Sequence, residues 1–229
     1  MRRPTEADVT FSLTVSLDVD GRRAVVVGGG PEAVDRVEAL IHGGAVVTVV
    51  TPDPAPALAT FAADDRITLH RRGYEPGDLT GAFVAYVTRE DATPVEAAWD
   101  EAERERVLLS TLDDIPRCHF ATPSVMRRGD LAVTIATMGR APALAKRLRR
   151  HLEQEFGPEL GDLVDVLDAA RQACLPRSVP FTEWAARWEL ALADLDSLLA
   201  AVRDGRSDQV RTEVERALLT PSTGTASSV

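Results

Sequence analysis

The chain has 229 residues, 45% of them hydrophobic and 27% charged, with a formal net charge of −10. These values fit one large domain or two modest ones with a real core, and they argue against global disorder and against a general nucleic-acid binder. Cys118 and Cys174 stand in no CxxC or Cys/His spacing, which speaks against a disulfide scaffold and a structural zinc site. No apolar run approaches the ~20 residues of a membrane helix, and acidic and polar residues interrupt the opening stretch where a signal-peptide core would lie. The expectation is a cytoplasmic protein with neither nucleic acid nor membrane as a partner.

In chain order, AVVVG at 24–28 reads as a buried parallel strand that stops at glycine. Val34, Val37, Leu40 and Ile41 then recur at helical spacing, and Gly43-Gly44 ends that helix. A second strand at 45–50 closes at Thr51-Pro52-Asp53-Pro54. There follow a helix around 54–63, a short strand at 66–71, a strand at 83–88, a helix over roughly 92–106 and a strand at 107–112. Strands alternating with helices at this rhythm predict a parallel sheet covered by helices, an α/β fold.

After residue 113 the rhythm changes. Two strand-like runs lie in FATPSVMRRGDLAVTIAT, with turns expected at Asp114 to His119 and at Arg127 to Asp130, and an alternating strand at 131–137. Pro142 opens a helix whose Leu144, Leu148 and Leu152 share a stripe. Residues 159–219 read as helical, with one helix marked by Val164, Leu167, Ala170 and Cys174, and one by Trp184, Trp188, Leu192, Leu195 and Leu199. The polar tail from 220 is expected to be disordered. The predicted division is 1–113, 114–150, 151–219 and the tail.

Gly28-Gly29-Gly30-Pro31-Glu32-Ala33 fits G-x-G-x-x-A between a strand and a helix. Glycines allow a tight turn and close approach of a pyrophosphate, whose charge sits on the amides and positive dipole end of the helix. Pro31 suits the first turn because its missing N–H would be unpaired there. The alternative is a tight strand–helix turn without a ligand. The second strand ends at Thr51, where such folds place a residue that holds the ribose hydroxyls; Thr51 and Asp53, with no adjacent arginine for a 2′-phosphate, favour NAD over NADP. The predicted cofactor set is Gly28, Gly29, Gly30, Pro31, Glu32, Ala33, Thr51, Pro52, Asp53 and Thr88, the last ending the fourth strand.

Three stretches together carry a resemblance: DVDGRRAVVVGGGPEAVDRVEALIHGGAVVTVVTPD, then LSTLDDIPRCHFATPSVMRRGDLAVTIATMGRAPALAKRLRRHLE, then FTEWAARWE. In this combination and order the chain resembles the precorrin-2 dehydrogenase family, which includes the amino-terminal module of siroheme synthases and bifunctional dehydrogenase/chelatases. The resemblance implies an NAD-binding Rossmann domain, a small strand-plus-helix segment through which two subunits interlock at 114–150, and a helical carboxy-terminal domain. It implies a homodimer acting on a tetrapyrrole, with NAD-dependent oxidation of precorrin-2 to sirohydrochlorin in siroheme- or cobalamin-type biosynthesis, and in some relatives insertion of ferrous or cobalt ion.

On that resemblance Asp113 falls on the family's acidic residue, a candidate general base for dehydrogenation or chelation; the bland alternative is that Asp113 and Asp114 cap a turn before Pro116. His119 is a candidate to assist proton transfer or to touch substrate or a metal in transit, or else a packed residue. No ligand triplet is spaced for a resident metal. Arg117, Arg127, Arg128, Arg140, Lys146, Arg147, Arg149 and Arg150 face a single acid, Asp130, over 117–150. Guanidinium groups grip carboxylates in a planar, two-pronged way, and precorrin-2 is a polycarboxylate. Arg127, Arg128 and Arg140, read as turn residues, are the substrate candidates; half of the 146–150 group reads as a solvated helix face.

The match has departures. Ser110 and Glu96 stand where the family commonly has asparagine, and Thr88-Arg89-Glu90-Asp91 replaces a T-D-D run. Met138 and Ala141 alter the T-G-G-K-S-P turn, and losing a glycine at 138 is expected to narrow it. Two alternatives therefore stand beside dehydrogenation: a chelatase, and a non-catalytic NAD- or tetrapyrrole-binding paralogue.

Overall fold

A computed structural model of the chain describes residues 11, 13–88, 95–112, 114–174 and 180–220. These residues fall into two compact units. The first takes residues up to 122 together with 138–140, and the second takes 123–137 together with residues from 141 onward.

The first unit is a parallel sheet of β1 (Arg23–Val27), β2 (Val46–Val50), β3 (Thr68–His70), β4 (Val84–Val87) and β5 (Leu108–Ser110), in the order β3-β2-β1-β4-β5. Helices α1 (Pro31–His42), α2 (Pro56–Ala63) and α3 (Val95–Glu105) connect them. The valine-rich runs are strands because both faces of the sheet are covered, so successive side chains enter different cores. Ala24 and Val26 of β1 pack with Ala33, Val37 and Leu40 of α1 and Leu58 of α2. Val25 and Val27 point the other way, with Tyr74, Leu79 and Ala98 and Ala102 of α3. The strand order reverses beside β1, which opens the crevice between β1 and β4 at their carboxyl ends. This is the α/β Rossmann fold read from the alternation of elements.

One buried charge ties this unit together. Glu101 of α3 is 1% exposed. Its carboxylate accepts the amides of Gly77 and Leu79, both at 3.0 Å, and the hydroxyl of Tyr74. Burial and that carboxylate push the Tyr74 phenol well above its ordinary value. Three donors from the loop between β3 and β4 are thereby satisfied by one side chain.

The second unit begins with an antiparallel hairpin of β6 (Ser124–Arg128) and β7 (Leu131–Ile135), against which α4 (Pro142–Glu155) packs. Arg127 and Arg128, expected in a turn, lie in β6; only Gly129 and Asp130 turn the chain, with Gly129 at φ 55. The reason is cross-strand pairing, since Arg127 and Arg128 stand opposite Ala132 and Leu131. Among the described residues four helices follow: α5 (Glu159–Cys174), α6 (Phe181–Ala191), α7 (Leu195–Arg203) and α8 (Ser207–Leu219). Leu163, Ala170 and Cys174 of α5 pack with Leu198 and Val202 of α7 and Val210 and Val214 of α8.

The single helix expected through Trp184 and Leu199 is two helices. Asp194 caps α7, its carboxylate accepting the Ser197 amide at 3.1 Å, and that bond holds the carboxyl below its usual range. The leucine spacing carried across the break because both helices face one core. In the bend before α4, Met138 takes φ 52 and Gly139 φ 76. The turn thus keeps the left-handed backbone that glycine favours, at a cost of about 1 kcal/mol for the methionine.

Two predictions follow from these ties. Glu101→Ala strands a phenol and two amides and should destabilise the protein by about 3–5 kcal/mol in urea titrations. The Arg203 guanidinium beside Glu159 holds its carboxyl below the ordinary carboxylate range. Its contribution to stability is therefore complete above the unfolded-state value and is lost as pH falls through the lower folded value. Glu159→Gln should accordingly flatten the acid limb of the stability–pH curve.

Candidate active site

The chain leaves β1 through a turn that has room for backbone only. Gly28 sits at φ 136, and a Cβ there would lie 1.8 Å from the Thr88 hydroxyl oxygen. A Cβ on Gly29 would lie 2.1 Å from the Asp53 carbonyl oxygen and 2.5 Å from Thr51 Oγ1. The turn is pinned on both sides: Gly28 N–H donates to Val50 at 3.0 Å, Ala55 N–H donates to the Gly29 carbonyl at 2.8 Å, and Thr88 N–H donates to Val27 at 2.9 Å. Gly30 is the N-cap of α1 in an extended conformation without a side-chain cap, and Pro31 opens the helix. Ala33 is fully buried, so α1 lies close on the sheet.

The predicted cofactor residues therefore converge. Gly28, Gly29 and Gly30, the first turn Pro31, Glu32 and Ala33, the β2 end with Thr51, Pro52 and Asp53, and Thr88 at the β4 end surround one stretch of the sheet's carboxyl edge. Thr51 and Thr88 are buried while Pro52 and Asp53 are exposed. A helix start supplies amide donors without intrahelical acceptors and a positive dipole end. A cradle that any side chain would fill, set on such an end, fits a dinucleotide's pyrophosphate.

Past β5 the chain makes a second laced structure. Ser110 and Thr111 are buried, and Leu112 takes φ 63, a left-handed conformation costly for leucine. Thr111 N–H donates to Cys118 Sγ at 3.3 Å, and the Thr111 hydroxyl donates to the Asp114 carbonyl at 3.0 Å. Arg117 is held by Asp114 and, at 3.5 Å, by Glu96, and these carboxylates raise the guanidinium further above its ordinary value. Asp113, the predicted base, lies outside the described residues; Leu112 and Asp114 on either side of it are described.

His119 N–H donates to the Leu109 carbonyl at 2.8 Å, and Leu109 N–H donates back to His119 Nδ1 at 3.0 Å. Nε2 lies 2.7 Å from Glu103, and the ring stacks on Trp99 with centroids 4.5 Å apart. Of the three arginine candidates, Arg127 is exposed on β6 and Arg140 is exposed after Gly139. Arg128 binds backbone carbonyls, Glu153 at 2.8 Å and Phe156 at 2.9 Å, at the end of α4. Trp99 and Glu103 escaped notice in the sequence. Their spacing of four puts them on one helix face, but nothing in it said that His119 lay opposite.

Comparison with known proteins agrees with this geometry. A family model described as "Putative NAD(P)-binding" matches residues 15–124. The chain is 32% identical over 194 residues to siroheme synthase 1 of Cronobacter sakazakii (strain ATCC BAA-894), covering 85% of this chain and 41% of that one. It is 28% identical over 206 residues to siroheme synthase 1 of Serratia proteamaculans (strain 568), covering 90% and 43%. The solved structure of SirC, precorrin-2 dehydrogenase, superposes with a TM-score of 0.65 at 22% identity, over 89% of this chain and 99% of that one. The chain is similar in sequence to siroheme synthases over most of its own length, and similar in fold to SirC. The likeness to SirC is one of fold, and the chain spans less than half the length of the siroheme synthases it matches.

The cradle makes a direct prediction. Gly29→Ala should weaken NADH binding by at least roughly tenfold in a fluorescence titration, because the new methyl group must displace the Asp53 backbone.

Proposed function

We propose that this chain oxidises precorrin-2 to sirohydrochlorin with NAD. The observation that carries the reading is the side-chain-free turn at Gly28 and Gly29, closed in by Thr88 and Asp53 at the carboxyl edge of a parallel sheet. The similarity to siroheme synthases, and the fold shared with SirC, precorrin-2 dehydrogenase, support the substrate class.

Dehydrogenation removes a hydride and a proton from the substrate. When bound, the nicotinamide ring supplies the hydride acceptor. The glycine turn and the start of α1 hold the pyrophosphate. Asp53 receives the ribose hydroxyls, and its negative charge disfavours a 2′-phosphate, which is the reason to prefer NAD. Asp113, by its place in the sequence after β5, takes the proton. Arg127 and Arg140, both exposed, attract the substrate's carboxylates; Arg128 is committed to the end of α4. Exposed Leu144 and Leu148 on α4 support a homodimer joined through the 114–150 segment. Cys118 and Cys174 are free thiols, in keeping with a cytoplasmic protein, and among the described residues no helix is long and apolar enough to cross a membrane.

Chelation ranks lower. His119, the nearby candidate to touch a metal, has both ring nitrogens engaged, and among the described residues no group of three His, Cys, Asp or Glu stands ready to hold one.

The deciding experiment supplies precorrin-2 and NAD to the purified protein and follows NADH absorbance with the sirohydrochlorin spectrum. Asp113→Ala should lower kcat by about a hundredfold or more while the Kd for NAD stays put. Absence of turnover by the unaltered protein with either nicotinamide cofactor would overturn the reading.

A further inference from the structure

Among the described residues β5 is the edge strand of the sheet, and its outward-facing backbone groups face no neighbouring strand. Leu108 N–H turns inward and donates to Phe83 at 3.1 Å, so Leu109 and Thr111 present their amides outward. Both outward amides end on side chains of one dipeptide: Leu109 on His119 Nδ1 at 3.0 Å and Thr111 on Cys118 Sγ at 3.3 Å. The Leu109 carbonyl receives His119 N–H at 2.8 Å. Cys118-His119 thus stands in for a missing strand.

We propose that His119 is a positioning residue, whose imidazole completes the outer edge of β5 and clasps the loop from Leu109 to His119, in which Asp113 stands by sequence. The tautomer follows from the donors. Leu109 N–H requires a lone pair on Nδ1, so the ring proton resides on Nε2 and is donated to Glu103. Trp99 backs the ring at 4.5 Å with planes 17° apart, which fixes its orientation. A ring held this way has no lone pair left for substrate or metal, so it acts through the loop. The strained φ of 63° at Leu112 requires such a restraint, because a loop free to relax would leave that conformation. The catalytic consequence rests on the proposed reading that this loop carries the reaction's base.

The variants separate geometry from imidazole chemistry. Asparagine places an acceptor oxygen one bond beyond Cγ, where Nδ1 stands; glutamine places it one atom farther out. The full chain is compared with His119→Ala, His119→Asn and His119→Gln in the precorrin-2 assay, in NAD titration, in amide hydrogen exchange at Leu109 and in long-range proton–nitrogen NMR of the ring. A misplaced carboxylate should lower kcat of His119→Ala and His119→Gln by about 10- to 100-fold, with the Kd for NAD unchanged, and exchange at Leu109 should accelerate. His119→Asn should restore most of the rate and the slow exchange. The unaltered ring should show an unprotonated Nδ1 and a protonated Nε2. The proposal is overturned if His119→Asn is as slow as His119→Ala, if Leu109 exchanges equally fast in every protein, or if Nδ1 carries the proton. Should His119→Ala fail to fold, the ring tautomer and the His119→Asn exchange rate still decide. If the unaltered protein turns over no precorrin-2, the proposed function fails alone, and exchange at Leu109 decides the clasp.

Discussion

The carboxyl edge of the parallel sheet is crowded to the point where a single methyl group does not fit. A Cβ at position 29 would meet the Asp53 carbonyl oxygen at 2.1 Å, and one at position 28 would meet Thr88 Oγ1 at 1.8 Å. That crowding joins the ends of β1, β2 and β4 into one rigid rim with α1 rising from it. It also explains why the rim's polar residues, Thr51 and Thr88, are buried while Asp53 stays in solvent. A binding turn built from backbone depends on neighbours that hold it open. Here hydrogen bonds to Val50, Val27 and Ala55 do so.

The opposite constraint governs β5. There the difficulty is an open flank, since the strand is short and among the described residues its outer amides face no partner strand. Cys118 and His119 fill that flank with a thiol and an imidazole. Closing a loop of this length carries a modest entropic cost, which a few hydrogen bonds offset. The buried Glu101 does the same work for the loop between β3 and β4, gathering two amides and a phenol. Both loops are therefore organised by α3, through Glu101 on one side and Trp99 and Glu103 on the other.

A charge count misleads about individual side chains. The basic stretch from 117 to 150 is continuous in sequence, but its members do different jobs. Arg117 pairs with Asp114 and Glu96, Arg128 binds the carbonyls that end α4, and Arg149 pairs with Glu153. Arg127 and Arg140 remain exposed. A guanidinium's five donors suit backbone carbonyls as well as carboxylates, and only the fold reveals which it meets.

Much of the fold was legible because it rests on local patterns. The valine runs at β1, β2 and β4, the glycines ending β1 and α1, and Pro31 and Pro142 opening helices are each dictated by backbone sterics or by burial on both faces of a sheet. The same holds for the glycine turn, whose spacing alone brings a strand end to a helix start. What tertiary structure decided was every contact made across the chain. Position 194 became a break because an aspartate there caps α7, although the leucine stripe ran on regardless. Arg127 and Arg128 became strand residues because Ala132 and Leu131 pair with them. His119 became an edge group because Leu109, ten residues back, turns its amide outward onto the imidazole. Sequence determines which backbone shapes are allowed at each residue. Which polar group meets which is set by where distant segments come to rest, since a hydrogen bond depends on distance in space and not on separation along the chain.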